Sequence, residues 1–188
     1  MAIFAYLVFI WWLDRYEREP FSLVLATFAW GAIGGTCFGC VLSAGPAALM
    51  IELFGPETGG LLGAVAVAPL SEEFTKALVF IGLLSTKHID NETDGLIYGA
   101  ATGLGFATLE NLAYYTTAAD AAGLLGMVII RTMFTALVHC ISSALIGMAI
   151  GYARHRSPKT WVVFLFIGYV AAVVCHGCLL YTSPSPRD

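Results

Sequence analysis

Charged residues are scarce in this sequence, and those present do not form runs of one sign. Asp, Glu, Lys and Arg make up 12% of the 188 residues, whereas 59% are hydrophobic. These charges are too few to cover a soluble globule of this length, so the composition excludes an ordinary soluble domain and favours an integral membrane protein. The net charge of −4 comes without a basic stripe, so we expect neither a nucleic-acid partner nor a polybasic lipid anchor.

Motifs of several soluble enzyme classes are also missing. The chain has no Walker sequence and no HExxH pair, and its glycine-rich stretch at 98–107 follows no predicted strand, which excludes a dinucleotide site. Two cysteine pairs, Cys37/Cys40 and Cys175/Cys178, have CxxC spacing. Small cysteines are common in buried helices, so we interpret both pairs as packing residues rather than a metal or redox site.

Long apolar blocks dominate what the sequence does contain. They cover residues 1–13, 21–44, 61–84, 95–117, 124–152 and 160–180, joined by short polar links. A helix needs about 20 residues to cross a hydrocarbon core, so we interpret the first block as a short or truncated span. It lacks the basic start and cleavage site of a signal peptide. The sequence therefore predicts an all-α, polytopic transmembrane helix bundle of about six spans, with one domain at 1–180 and a polar, non-native or truncated tail at 181–188.

Basic residues alternate between the predicted loops. Lys or Arg occurs in loops 14–20, 85–94 and 153–159, and neither occurs in 44–60 or 117–123. Because cytoplasmic loops carry the excess of basic residues, these three loops are predicted to be cytoplasmic and the N-terminus to lie outside.

Ionisable residues inside the predicted spans are the first functional signal. They are Glu72, Glu73, Lys76, Glu110, Arg131, His139 and His176. A charge at a helix centre costs ~2.5–3.5 kcal/mol on insertion, so such residues usually face a bundle interior or a wet cavity. Glu72 and Lys76 are four residues apart, so we expect them to pair and to leave Glu73 free for another contact.

A glycine stripe on the fourth block predicts where these groups meet. Gly95, Gly99 and Gly103 recur every four residues, which allows close approach of a neighbouring helix, and Glu110 falls almost on the same stripe. We therefore expect the acids and histidines to converge in the central to outer half of the bilayer, where they can hold and deprotonate a water. The alternative is a purely structural role, with an ion pair fixing helix register and His139 packing beside nearby serines.

Five motifs occur in order along the chain: LDRYEREP at 13–20, EEFTK at 72–76, DGLIYGAATGLGFATLEN at 94–111, RTMFTALVH at 131–139, and the late His176-Gly177. Together they resemble the PrsW family of intramembrane proteases, which are relatives of the type II CAAX prenyl endopeptidases in the glutamic-type group. The resemblance spans about residues 13 to 177.

The resemblance implies catalytic roles for five residues. Glu72 or Glu73 would be the general base that activates water, and Glu110 would be a second group holding that water. His139 and His176 would polarise the scissile carbonyl or stabilise its oxyanion.

Three further residues are expected to support the site. Lys76 and Arg131 would keep a partner carboxylate ionised, and Asn111 completes the motif that contains Glu110. The family's last motif usually continues to an Asn or Asp, whereas this chain has Leu180 at that position.

The predicted function is that of a glutamic-type intramembrane endopeptidase with no cofactor. The resemblance implies single-span membrane substrates such as anti-sigma factors, and a bacterial cytoplasmic membrane. Two alternatives stay open: a zinc-dependent intramembrane protease with Glu and His ligands, and a proton-coupled transporter that uses the Glu/His cluster as a relay.

Overall fold

A computed structural model describes residues 2–14 and 18–182, without the side chains of 179, 180 and 182, and these residues form helices and no strand. The α-helices are α1 (Ala2–Leu13), α2 (Phe21–Trp30), α3 (Thr36–Leu62), α4 (Ala68–Ala77), α5 (Val79–Leu83), α6 (Glu92–Tyr115), α7 (Ala121–Ile130), α8 (Ala136–Ala153) and α9 (Pro158–Thr182). Three π-helical segments, Gly31–Gly35, Gly63–Val67 and Arg131–Thr135, join α2 to α3, α3 to α4 and α7 to α8. The predicted all-α class is confirmed. The side chain of Leu180 and residues 183–188 of the predicted tail at 181–188 lie outside this description.

The second and third apolar blocks belong to one helical stretch that folds back on itself. The predicted polar link at 44–60 is wrong, because α3 continues through it with a single non-helical residue, Gly55 (φ 81°, ψ 167°). Glycine adopts this positive φ without steric cost, and the following proline disfavours a helical conformation at Gly55. Beyond the bend, Gly59 packs so closely on the backbone of Met50 that a Cβ would overlap it. The two arms therefore form an antiparallel helical hairpin.

Helix α6 lies at the centre of the bundle. The glycine stripe faces α8: a Cβ on Gly95, Gly99 or Gly103 would overlap the backbone carbonyl of Gly147, Ser143 or His139, respectively. This order makes α6 and α8 antiparallel, and it confirms the predicted close approach along the stripe. On another face of α6, Gly105 lies against the backbone of Phe28 in α2.

Three helical stretches in the described part of the chain are long and apolar enough to cross a membrane. They are Phe21–Leu83, Ala121–Ala153 and Pro158–Cys178, and α1 is a shorter apolar helix. The first stretch contains the bent hairpin and so includes two of the predicted blocks. Apolar helices of membrane-spanning length are confirmed, and the number of about six spans stays a prediction.

The three predicted cytoplasmic loops meet at one end of the bundle. Arg154 donates hydrogen bonds to the carbonyl oxygens of Leu84 (2.7 Å) and Thr86 (3.2 Å). His88 lies 3.4 Å from the carboxylate of Glu19, which connects the first loop to the second. These contacts place all three loops at the same end of the helix bundle, and the orientation of that end stays a prediction.

A buried acid, Glu19, connects the first loop to α6 at this end of the bundle. Glu19 is 8% exposed and accepts a hydrogen bond of 2.5 Å from the Tyr98 hydroxyl of α6. Burial raises the pKa of the Glu19 carboxyl above its ordinary value, and the Tyr98 hydrogen bond opposes that shift.

Candidate active site

Four helices place the ionisable side chains in one cluster, away from the end where the basic loops meet. Helix α4 contributes Glu72, Glu73 and Lys76, α6 contributes Glu110 and Asn111, α8 contributes His139, α9 contributes His176, and Arg131 begins the π-helical segment before α8. His139 lies roughly 14 residues before the end of α8 at which the basic loops meet. This separation is ~21 Å along the helix. The structure thus brings together all eight residues that sequence reasoning selected.

Burial divides the cluster into a sealed part and a more open part. Glu73, His139 and His176 are 0% exposed and Lys76 is 1% exposed. The side chains of Glu72, Glu110 and Arg131 keep 14–16% of their surface. The open side of the cluster is therefore lined by two carboxylates and one guanidinium.

Lys76 pairs with Glu73, which corrects the expected pairing with Glu72. Its Nζ lies 2.7 Å from Glu73 Oε1 and 3.9 Å from the centre of the Phe106 ring. Residues three and four apart are both neighbours on a helix, so local geometry allows either partner. Lys76 pairs with Glu73 because the Glu73 side chain points into the cluster, whereas Glu72 lies beside Gly39 on α3.

The Glu73 carboxylate is fully used by its neighbours. Oε1 accepts from Lys76 and lies 2.9 Å from His176 Nδ1, while Oε2 accepts a 3.1 Å hydrogen bond from the Ser143 hydroxyl. An ionised carboxylate only accepts hydrogen bonds, so His176 Nδ1 is the protonated ring nitrogen. Glu73 therefore orients His176 and has little capacity left for a reacting group.

Glu110 is held by a second set of contacts. Arg131 donates to its Oε2 (2.5 Å) from Nη2 and to the Asn111 side-chain oxygen (2.8 Å) from Nε. His139 Nε2 lies 3.1 Å from the same Glu110 oxygen, and the guanidinium stacks 3.6 Å from the centre of the Tyr114 ring. These contacts fix Glu110 as an ionised acceptor beside His139.

Two buried atoms in the cluster have no hydrogen-bond partner within the described part of the chain. They are Glu72 Oε2 and His176 Nε2, and they lie 3.6 Å apart. Buried polar atoms are nearly always bonded, so an unpartnered pair requires an explanation. Because both atoms can accept, one water molecule can donate a hydrogen bond to each of them.

A metal site was tested against the same geometry. Glu73, His139 and His176 each offer a ligand atom, and these atoms lie within 4.8 Å of one another. Carboxylate and imidazole donors suit zinc in type. However, the Lys76 ammonium binds Glu73 Oε1 at 2.7 Å and lies 3.2 Å from His139 Nδ1, so a divalent cation on these donors would sit against a buried positive charge. The donor set in this arrangement does not fit a bound metal.

Sequence reasoning missed the role of Ser143 as a partner of Glu73. Ser143 had been noted only as a neighbour that could satisfy His139. Its position four residues after His139 places both on one face of α8, and that spacing is the signal that could have identified it.

Comparisons with known proteins give matches over most of the chain. The chain matches the family described as "PrsW family intramembrane metalloprotease" over residues 19–184. The protein named Protease PrsW from Bacillus subtilis (strain 168) is 28% identical over 182 residues, which cover 92% of this chain and 75% of that protein. Proteins of the same name from Geobacillus kaustophilus and Clostridioides difficile are 30% and 27% identical, over 92% and 94% of this chain and 72% and 75% of their own lengths. No solved structure matches the chain.

Proposed function

Because this chain belongs to the PrsW family of intramembrane proteases, we propose that it hydrolyses peptide bonds of membrane-anchored proteins with a water activated by Glu72. The observation that carries the proposal is the unpartnered pair, Glu72 Oε2 and His176 Nε2, which lie 3.6 Å apart, whereas the other fully buried side-chain polar atoms of the described cluster are hydrogen-bonded. A general base must lie within hydrogen-bond reach of the proton it accepts, and these atoms can share one water.

The assignment of the base follows from how the two adjacent acids are used. Glu73 is sealed and bonded to three groups, and its carboxylate fixes the orientation of His176. Glu72 keeps 15% of its side-chain surface and has an oxygen without a partner. Glu72 is therefore the general base, and Glu73 is a positioning residue.

The proposed reaction needs no group beyond these side chains. Glu72 takes a proton from the water while the water oxygen attacks the scissile carbonyl carbon. The protonated Glu72 then gives that proton to the leaving nitrogen as the peptide C–N bond breaks. The Nε2–H of His139, which donates to Glu110 Oε2 at 3.1 Å without substrate, is the donor that the carbonyl oxygen would share as negative charge develops there. A fixed donor in a site that excludes water stabilises such charge more strongly than a donor in bulk water.

The zinc-dependent alternative rests on the Glu and His side chains as ligands, and the family description, which names a metalloprotease, is consistent with it. The position of the Lys76 ammonium between Glu73 and His139 favours the metal-free reaction. We therefore propose the glutamic mechanism and treat metal dependence as an outcome of the test below.

The substrate and the location complete the proposal. We infer single-span membrane proteins such as anti-sigma factors, cut in the outer half of the bilayer of a bacterial cytoplasmic membrane. The convergence of the three basic loops at one end supports an outside N-terminus, because basic loops remain cytoplasmic. The cluster lies away from that end, which supports cleavage nearer the outer surface.

Reconstituted cleavage tests the proposal. The parent chain, Glu72→Gln and Glu57→Gln, which changes an exposed acid on α3, are placed in liposomes with a panel of tagged single-span anti-sigma factors, with and without a zinc chelator. We expect chelator-resistant cleavage by the parent and by Glu57→Gln, and none by Glu72→Gln. Cleavage that is lost with the chelator and restored by zinc would overturn the glutamic mechanism. A parent chain that cleaves nothing in the panel would contradict the proposed substrate class.

A further inference from the structure

Lys76 makes one contact that charge neutralisation does not explain. Its ammonium is 1% exposed and is already paired with Glu73 at 2.7 Å. The same Nζ also lies 3.2 Å from Nδ1 of His139 on α8, a residue 63 positions further along the chain. An ion pair within α4 would be complete without that second contact.

Hydrogen-bond chemistry fixes what the contact does. An ammonium beside a carboxylate at 2.7 Å has donors and no acceptor, so His139 Nδ1 must accept from it. The ring proton of neutral His139 is then on Nε2, which faces Glu110 Oε2 at 3.1 Å. Protonation of both ring nitrogens would direct the Nδ1–H at the ammonium, and the two positive charges would repel each other.

The contacts of Glu110 agree with this assignment. Arg131 holds Glu110 from the opposite side, so the carboxylate is an ionised acceptor for the Nε2–H of His139. His176 has the reverse arrangement, because its Nδ1–H donates to Glu73 and its Nε2 is left as an acceptor. The two histidines are thus held in opposite tautomers by the same ion pair.

We propose that Lys76 is a positioning residue that keeps His139 neutral with its proton on Nε2, so that this N–H, which donates to Glu110, remains a donor beside the reaction site while His176 presents an acceptor. This role rests on the proposed function, in which the His139 donor faces the developing oxyanion. It explains why a lysine, rather than an apolar residue, occupies the centre of a sealed cluster.

The groups that face His139 make the effect of removing Lys76 predictable. Without the ammonium, the ring lies between the carboxylates of Glu73 and Glu110, with His176 beside it at 4.5 Å between ring centres. Burial still opposes a charged ring, so removal of the ammonium leaves the neutral ring free to place its proton on Nδ1, where Glu73 can accept it. Lys76→Met keeps an apolar stem on the Phe106 ring and removes only the charge and the donors.

Nitrogen-15 NMR of histidine-labelled protein in nanodiscs at pH 7 tests the proposal without substrate. His139 signals are assigned by their loss in His139→Gln, and protonated and unprotonated ring nitrogens give well-separated shifts. We expect one unprotonated Nδ1 and one protonated Nε2 for His139 in the parent, a population with a protonated Nδ1 in Lys76→Met, and the parent pattern in Lys76→Arg, which remains a pure donor. Lys87→Met, which changes an exposed loop lysine, should keep the parent pattern.

The outcomes separate this inference from the proposed function. A protonated Nδ1 on His139 in the parent, or an unchanged unprotonated Nδ1 in folded Lys76→Met, would overturn the role of Lys76 whether or not the chain cleaves a substrate. If Lys76→Met does not fold, the parent and Lys76→Arg spectra still show whether His139 Nδ1 is unprotonated, as the role of Lys76 requires. The expected spectra from a chain that cleaves nothing would leave the Lys76 assignment standing and count against the protease mechanism.

Discussion

The adjacent residues Glu72 and Glu73 should differ in which property a Glu→Gln substitution changes, stability or activity. Glu73→Gln removes the counter-charge of Lys76, whose ammonium and partner are 1% and 0% exposed. Glu72→Gln removes a carboxylate that has an unpartnered oxygen and no Lys or Arg at ion-pair distance among the described residues. We expect Glu73→Gln to lose stability and Glu72→Gln to lose activity without losing stability.

The structure sets the size of the difference. Removing one partner of a buried ion pair costs about 3–5 kcal/mol because the other charge stays buried without compensation. At 1.36 kcal/mol for each factor of ten, this corresponds to a decrease of between about 160-fold and 5,000-fold in the ratio of folded to unfolded protein for Glu73→Gln. Glu72→Gln breaks no hydrogen bond to a described residue, so its free energy of unfolding should stay within about 1 kcal/mol of the parent value.

Equilibrium unfolding in mixed micelles, followed by tryptophan fluorescence, measures these changes. Glu57→Gln provides the matched control, since it makes the same chemical change on the exposed side of α3. Equal destabilisation by Glu72→Gln and Glu73→Gln, or a neutral Glu73→Gln, would refute the division of the pair into a base and a positioning residue.

Three further changes test separate parts of the structure. Gly103→Ala should cost about 1–3 kcal/mol of unfolding free energy because its Cβ would overlap a backbone carbonyl of α8, whereas Gly126→Ala, with open space around it, should be neutral in the same unfolding assay. Arg131→Lys should lower kcat/KM by about tenfold or more, because an ammonium cannot reproduce the forked contacts to two α6 side chains, and full activity would contradict this. Glu19→Gln tests the raised pKa of that carboxyl: the folded parent binds the proton more tightly than the unfolded chain, so its stability falls as pH rises above the ordinary value of 4.5. In thermal unfolding the stability of the variant relative to the parent should therefore increase as pH rises above 4.5, and parallel curves would show that burial does not raise the pKa of this carboxyl.

The sequence predicts the helices well because hydropathy is a local property of each segment. The glycine stripe of α6 is equally readable, since a period of four places its members on one face, and all three glycines do pack on α8. The bend at Gly55 was not predicted, because the polar and proline-containing stretch around it also fits a loop. There the helical hydrogen bonds continue on both sides of the bend, so only one residue departs from helical geometry.

The partner of Lys76 could not be predicted from the sequence for a different reason. Glu72 and Glu73 are both within reach on the same helix, and no property of α4 alone separates them. The choice depends on α8 and α9, because Ser143 and His176 bind the side of α4 on which Glu73 lies. Such tertiary contacts are visible only after the helices have been placed against each other.

Charge balance connects these contacts to the proposed chemistry. Three carboxylates and two cations meet in the cluster: Lys76 neutralises Glu73, and Arg131 neutralises Glu110. Glu72 is left as the acid that neither of these cations binds, and it keeps 15% of its side-chain surface on the open side of the cluster. Of the three carboxylates it is therefore the one best placed to accept a proton, and a general base must do this as water attacks. A third cation beside Glu72 would stabilise the ionised cluster and at the same time weaken Glu72 as a proton acceptor, so the excess of one acid is what the proposed reaction requires.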